Sequence, residues 1–101
     1  MKKIMVRYKL KADRVDENKQ FVKAIFAELN TKKPAGLRYV SFGFPDGVTF
    51  AHVVSIETSD GKNPLNMTEA FPLFTKDIKD RCEEPPVAMD LTEVGSYNFF
   101  K

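Results

Sequence analysis

The chain predicts one α+β domain in the order βαββαβ, with a four-stranded antiparallel sheet and two helices on one face. Three observations carry this. Residues 3–11 and 37–57 alternate apolar and polar side chains with period two, the mark of strands with one buried face. The stretches near 13–30 and 65–83 instead repeat apolar side chains every three or four positions, the mark of helices packed on one side. Pro45-Asp46-Gly47 splits the longer alternating stretch and supplies a hairpin turn. A chain of 101 residues is the size of one domain, and residues 1–101 are read as one unit.

In the first strand Ile4, Val6, Tyr8 and Leu10 point one way and Met5, Arg7, Lys9 and Lys11 the other. Asp13 then reads as a helix N-cap, with Asp16 and Glu17 favourable in the first turn. Phe21, Val22, Ile25, Phe26 and Leu29 form the buried stripe, and Asn30, Pro34 and Gly36 end the helix. Strands follow at 37–44 and 48–57. A three-residue loop pairs Phe44 with Val48 and puts Val40, Phe42, Phe44, Phe50, His52 and Val54 on one face.

The second helical stretch runs from about Leu65 to Glu83. Pro72 places the start of its main helix near 69–71, after a short turn at Leu65 and Met67. Phe71, Phe74, Ile78 and Cys82 mark its buried side. Pro85-Pro86 ends it, and Val87, Met89 and Leu91 alternate with Ala88, Asp90 and Thr92 as the last strand. Right-handed crossovers around a central hairpin give the strand order 4-1-3-2, which is the ferredoxin-like arrangement.

The uncovered sheet face is expected to carry Met5, Arg7, Tyr39, Ser41, Ala51, Val53, Ala88 and Asp90. Several of these are too apolar for water, and the tail Tyr97, Phe99 and Phe100 adds aromatic surface. A homodimer is the expected cover.

The residues Gly36-Leu37-Arg38-Tyr39, Asp46 to Val53, Asn63-Pro64-Leu65, Ala70-Phe71 with Phe74, Arg81 to Pro86, and Val94-Gly95-Ser96-Tyr97 carry a resemblance over nearly the whole chain. It resembles the dimeric α+β barrel superfamily, in the branch of the antibiotic-biosynthesis monooxygenase domain, and within it a group of small bacterial proteins. The resemblance implies a homodimer. It leaves the chemistry open among cofactor-free oxygenases, haem-degrading enzymes, isomerases and proteins without known activity.

Bulk properties narrow the partners. Sixteen basic residues are interspersed with fourteen acidic ones, which does not build the one-sided basic surface of a nucleic-acid binder. Arg7, Lys9 and Lys11 interrupt any signal-peptide core, and no apolar run approaches a membrane span. A single cysteine, Cys82, allows no intrachain disulfide and suits a reducing compartment, so the cytoplasm is expected.

His52 is the only histidine, and by parity it faces the helices. It reads either as a general base or haem ligand in a pocket lined by Tyr8, Phe42, Phe50, Phe71 and Phe74, or as a core residue satisfied by a hydroxyl or a backbone group. Tyr8 is the candidate hydrogen-bond donor beside it. Both readings expect a neutral imidazole at pH 7, and His52→Phe is expected to leave the fold intact or to stabilise it. Arg81 reads as a helix C-terminal cation paired with a carboxylate. One histidine and one cysteine make no metal set, and no phosphate loop or nucleophile triad is present, so no cofactor is expected, haem being the alternative. Taken with the resemblance, which implies such chemistries, the expected function is a cofactor-independent monooxygenase or isomerase acting on a small apolar or aromatic substrate. The alternative is a non-catalytic, small-molecule-binding or accessory homodimer.

Overall fold

The computed structural model describes residues 1–99; Phe100, expected in the aromatic tail, lies outside them. Strand β1 (Lys2–Leu10) leads through a 3-10 turn to helix α1 (Val15–Lys32), followed by β2 (Leu37–Gly43) and β3 (Thr49–Ile56). A second 3-10 turn (Pro64–Met67), α2 (Ala70–Lys76), α3 (Ile78–Arg81) and β4 (Cys82–Leu91) complete the chain. The sheet is antiparallel in the order β2-β3-β1-β4, which is the expected 4-1-3-2 read from the other edge. Among the described residues no helix is long and apolar enough to cross a membrane.

Both crossovers differ in detail from the sequence reading. Asp13 does not cap α1: it lies inside the 3-10 turn, and Arg14, paired with Glu17 at 2.7 Å, stands at the helix start. At the other end α1 passes Asn30 and stops where Lys33 turns left-handed (φ 46°) and its N–H reaches the Leu29 carbonyl at 2.8 Å. The second crossover has the expected short turn before a helix that starts near 70, but the expected single main helix is broken at Asp77 into α2 and α3. Asn63 Oδ1 accepts the Leu65 N–H at 3.0 Å and opens the 3-10 turn, which buries Leu65. Glu69 makes no side-chain cap at the α2 start; Thr68 Oγ1 accepts the Phe71 N–H at 3.2 Å, and Glu28 of α1 accepts the N–H groups of Glu69 at 2.9 Å and Ala70 at 2.8 Å. Its hydrogen bond from Lys32, joined by those two backbone donors, holds the Glu28 carboxyl down at about 2.

The chain enters β4 directly at Cys82, several residues before the expected strand start. Leu10 and Lys9 take Cys82 and Glu84 as partners, and Pro85-Pro86 is absorbed as an irregularity between the Lys9–Glu84 and Arg7–Val87 pairs. An edge strand tolerates this because one side of its backbone needs no sheet partner. Cys82 is buried as expected, though on a strand and not on a helix.

The hairpin register shifts one residue from expectation. The Asp46 carboxylate accepts the N–H groups of Val48 at 3.0 Å and Thr49 at 2.8 Å, and the Thr49 hydroxyl at 2.6 Å. This Asx-type turn absorbs Val48 into the loop, and the Phe44 N–H bonds to the carbonyl of Thr49, not of Val48. Ser41 therefore stands opposite His52, Tyr39 opposite Val54 and Phe42 opposite Ala51. A one-residue slip moves every side chain of a strand to the other face. Tyr39 and Ser41, expected on the open face, lie under the helices; Val40 and Phe42, expected in the core, lie on the open face.

The same inversion holds in β4. Ala88 and Asp90 pair with Val6 and Ile4 on the covered side, while Val87, Met89 and Leu91 join Met5 on the open side. The core consists of Tyr8, Leu10, Ile25, Phe50, Val54, Ile56, Leu65, Ala70, Phe74 and Cys82.

Candidate functional site

Strand pairing assembles the site. Val6 of β1 stands opposite His52 of β3, and Tyr8 opposite Phe50, so Tyr8 and His52 are diagonal neighbours on the covered face. Their contact is a hydrogen bond, Tyr8 Oη to His52 Nε2, at 2.7 Å. The register of β2 adds Tyr39, whose Oη meets His52 Nδ1 at 2.6 Å, and Ser41, whose Oγ lies 3.3 Å from Nε2. Phe74 of α2 stacks on the imidazole with centroids 5.3 Å apart, and Phe50 stacks on Tyr8 at 5.9 Å. His52 is 4% exposed.

The polar chain continues behind Tyr8. Asn18 of α1, fully buried, donates from Nδ2 to Tyr8 Oη at 2.9 Å. Arg81, at the end of α3, donates from Nε to Asn18 Oδ1 at 3.2 Å and from Nη2 to the Phe74 carbonyl at 2.6 Å. Its guanidinium lies over the Phe21 ring at 4.6 Å and near the Phe74 ring at 5.6 Å. The expected carboxylate partner is replaced: among the described residues no acidic side chain forms an ion pair with Arg81, which is buried among an amide, a carbonyl and two aromatic rings.

Burial sets the protonation states. Desolvation pushes the His52 imidazole down to about 4, so it is neutral at pH 7. Desolvation raises the Tyr8 phenol to about 12, opposed by the Asn18 hydrogen bond. Tyr39 is raised further, by burial and then by the neighbouring Tyr8. The site is a string of neutral hydroxyl and imidazole groups, each able to give one proton and take another.

A cavity of about 160 Å³ opens against this string, walled by Tyr8, Tyr39, His52, Leu65, Phe71, Phe74 and Ile78, with Val6, Thr75 and Pro86 completing it. An apolar cavity of about 150 Å³ has room for a benzene-sized guest. Of the residues singled out from sequence, Tyr8, His52, Phe71 and Phe74 meet here. Phe50 stays on the same face but packs behind Tyr8. Phe42 does not belong: it is 50% exposed on the opposite side of the sheet.

The sequence reading missed Tyr39, Asn18 and Arg81. Tyr39 was hidden by the hairpin register. The other two left a trace: Asn18 sits three and four positions before Phe21 and Val22, and Arg81 seven after Phe74, so each falls in step with an apolar stripe of the sequence.

Haem does not fit this site. Both ring nitrogens of His52 are engaged by hydroxyls, and a macrocycle exceeds a cavity of about 160 Å³. Among the described residues no group of three histidine, cysteine or acidic side chains is clustered as a metal ion requires.

No protein-family model matches the sequence, and no curated protein matches it. Solved structures do. An antibiotic biosynthesis monooxygenase superposes with a TM-score of 0.74 at 13% identity, over 94% of this chain and 100% of that one. Rv0793 from Mycobacterium tuberculosis gives 0.74 at 11% identity, over 94% and 96%. A variant of SnoaB, a cofactor-independent oxygenase from Streptomyces nogalater, gives 0.69 at 9% identity, over 96% of both chains. The chain thus has the ferredoxin-like fold of the antibiotic biosynthesis monooxygenases, and at these identities the likeness is one of fold.

Proposed function

We propose that this protein is a homodimeric, cofactor-independent monooxygenase that acts on a small, flat, apolar or aromatic molecule in the His52 cavity. One observation carries the reading: an aromatic-walled cavity ends on a neutral histidine hydrogen-bonded to two phenols. His52 is the base. Tyr8, which borders the cavity, takes the substrate proton at Oη as its own passes to Nε2, so the imidazole never needs direct contact. The carbanion or phenolate so formed supplies the electrons that dioxygen needs: an activated methylene plus dioxygen gives a carbonyl plus water. No external reductant enters that balance. Isomerisation uses the same proton transfer without oxygen. The fold shared with SnoaB and the antibiotic biosynthesis monooxygenases supports this choice.

The test is oxygen uptake by the purified protein with small hydroxyarenes and aryl ketones, with a metal chelator present and no flavin. Uptake that survives the chelator and is abolished in His52→Phe is the expected result. Binding without turnover would favour an accessory, ligand-binding role. That second reading has its own support, since the site's buried polar atoms already have partners within the chain.

The dimer belongs to the same proposal. Val40, Phe42, Val87, Met89 and Leu91 stand exposed on the open face, which makes it more apolar than the sequence reading supposed. Phe99 of the tail joins Val40, Phe42 and Val53 around a recess of about 330 Å³ there. A second copy of the chain covers this face by a two-fold contact. Light scattering after size-exclusion chromatography is expected to give twice the chain mass, and Phe42→Lys to shift it toward the monomer. A wild-type monomer at micromolar concentration refutes the assembly.

A further inference from the structure

Counting donors fixes where the protons of the site lie. Arg81 can only donate, so the Asn18 atom it meets at 3.2 Å is the carbonyl oxygen, and the amide nitrogen is the atom 2.9 Å from Tyr8 Oη. That nitrogen donates, so the Tyr8 oxygen accepts. Tyr8 is 2% exposed, and its own proton has one acceptor among its hydrogen-bond partners, His52 Nε2 at 2.7 Å. Nε2 therefore carries a lone pair, which Ser41 also approaches at 3.3 Å. A neutral imidazole with Nε2 bare holds its hydrogen on Nδ1, and that hydrogen points to Tyr39 Oη at 2.6 Å. The Tyr39 proton is then the one left over, on a half-buried side chain that lines the cavity. The opposite tautomer strands the surplus proton on Tyr8, the more deeply buried phenol, beside an amide that is itself donating.

We infer that Asn18, held by Arg81, imposes a one-way chain of protons through Tyr8 and His52 that ends in a free hydroxyl donor on Tyr39, so that the cavity selects ligands bearing a carbonyl oxygen. Asn18 and Arg81 are positioning residues in this scheme. The ligand class rests on the cavity reading above, while the proton order does not. With Tyr39 donating to the ligand oxygen and Tyr8 taking the proton, the acid and the base stand at the two ends of one string.

Long-range proton–nitrogen correlation NMR reads the tautomer without ambiguity, because there is one histidine. The wild type is expected to be protonated at Nδ1. Asn18→Asp puts a carboxylate, which has no proton to give, opposite Arg81; Tyr8 then donates to it, accepts from Nε2, and the tautomer reverses. Protonation at Nε2 in the wild type overturns the inference, as does an unchanged tautomer in a folded Asn18→Asp. For the ligand, acetophenone and α-methylstyrene share a shape but only the first has an acceptor oxygen. Tyr39→Phe is expected to weaken acetophenone about tenfold, the scale of one hydrogen bond, and leave α-methylstyrene unchanged. Equal loss of both overturns the ligand class. Failure of the wild type to bind either refutes the cavity reading and the ligand class with it, while the tautomer result stands or falls alone.

Discussion

Arg81→Ala is expected to destabilise the fold by about 3–5 kcal/mol, a large part of the roughly 5–15 kcal/mol that holds a domain together. The variant loses two hydrogen bonds and leaves their acceptors, Asn18 Oδ1 and the Phe74 carbonyl, without a donor in the interior. It also removes the planar group packed on Phe21 and opens a void where a 1%-exposed side chain stood. Arg81→Met keeps most of the volume and is expected to cost less than alanine. Arg81→Lys keeps the charge, but a point-like ammonium cannot reproduce two bonds in one plane. Urea unfolding of the three variants checks the order. A cost below about 1 kcal/mol for alanine would mean that water replaces the guanidinium, and that the interior here is wet.

Acidification is expected to withdraw about 3 kcal/mol of stability between pH 7 and pH 4 through His52 alone. The unfolded imidazole takes a proton near its ordinary 6.5, while the folded one resists until about 4. Between those values only the unfolded state gains the proton, so stability falls as pH falls through the unfolded value and levels off below the folded one. Glu28, held down at about 2, adds a loss of the same sign, but only as pH drops below the ordinary carboxylate range. The interval from pH 6.5 to 5 therefore belongs to His52. His52→Phe is expected to be flat there when unfolding is followed against pH. The variant begins lower, by about 1–3 kcal/mol, because the Tyr8 hydroxyl loses its acceptor. This reverses the expectation, drawn from the sequence, that phenylalanine would be neutral or stabilising. That expectation treated His52 as an isolated polar group, whereas three hydroxyls surround it. A wild-type curve equally flat from pH 7 to 5 would show a hydrated imidazole.

What the sequence made legible were the features set by local periodicity. Alternation in 3–11 and in 48–57 placed Tyr8 and His52 on the covered face, and the helical stripes placed Phe71, Phe74 and Ile25. Pairing between segments was less legible. The face that β2 presents depends on loop length, and the Asp46 hydrogen bonds that lengthen the loop are three-dimensional facts. Likewise β4 begins at Cys82 because Leu10 needs a partner across the sheet, and no pattern within 82–91 announces it. Asn18 and Arg81 were readable as polar members of apolar stripes, but their meeting across 63 positions of sequence was not.

The Asp46 turn has a consequence for how such a site is inherited. Tyr39 and Ser41 reach His52 only because the loop between β2 and β3 holds Val48 as an extra residue. Losing one residue there turns β2 over and brings Val40 and Phe42 to the imidazole, leaving Tyr8 as its one phenol partner without substituting any residue that lines the site. In a lineage built on this hairpin, a single-codon deletion at the turn can take the Tyr39 and Ser41 hydroxyls away from the histidine and a single insertion can bring them there. Drift in loop length, ordinarily the least consequential kind of change, is here a change in what the protein can do.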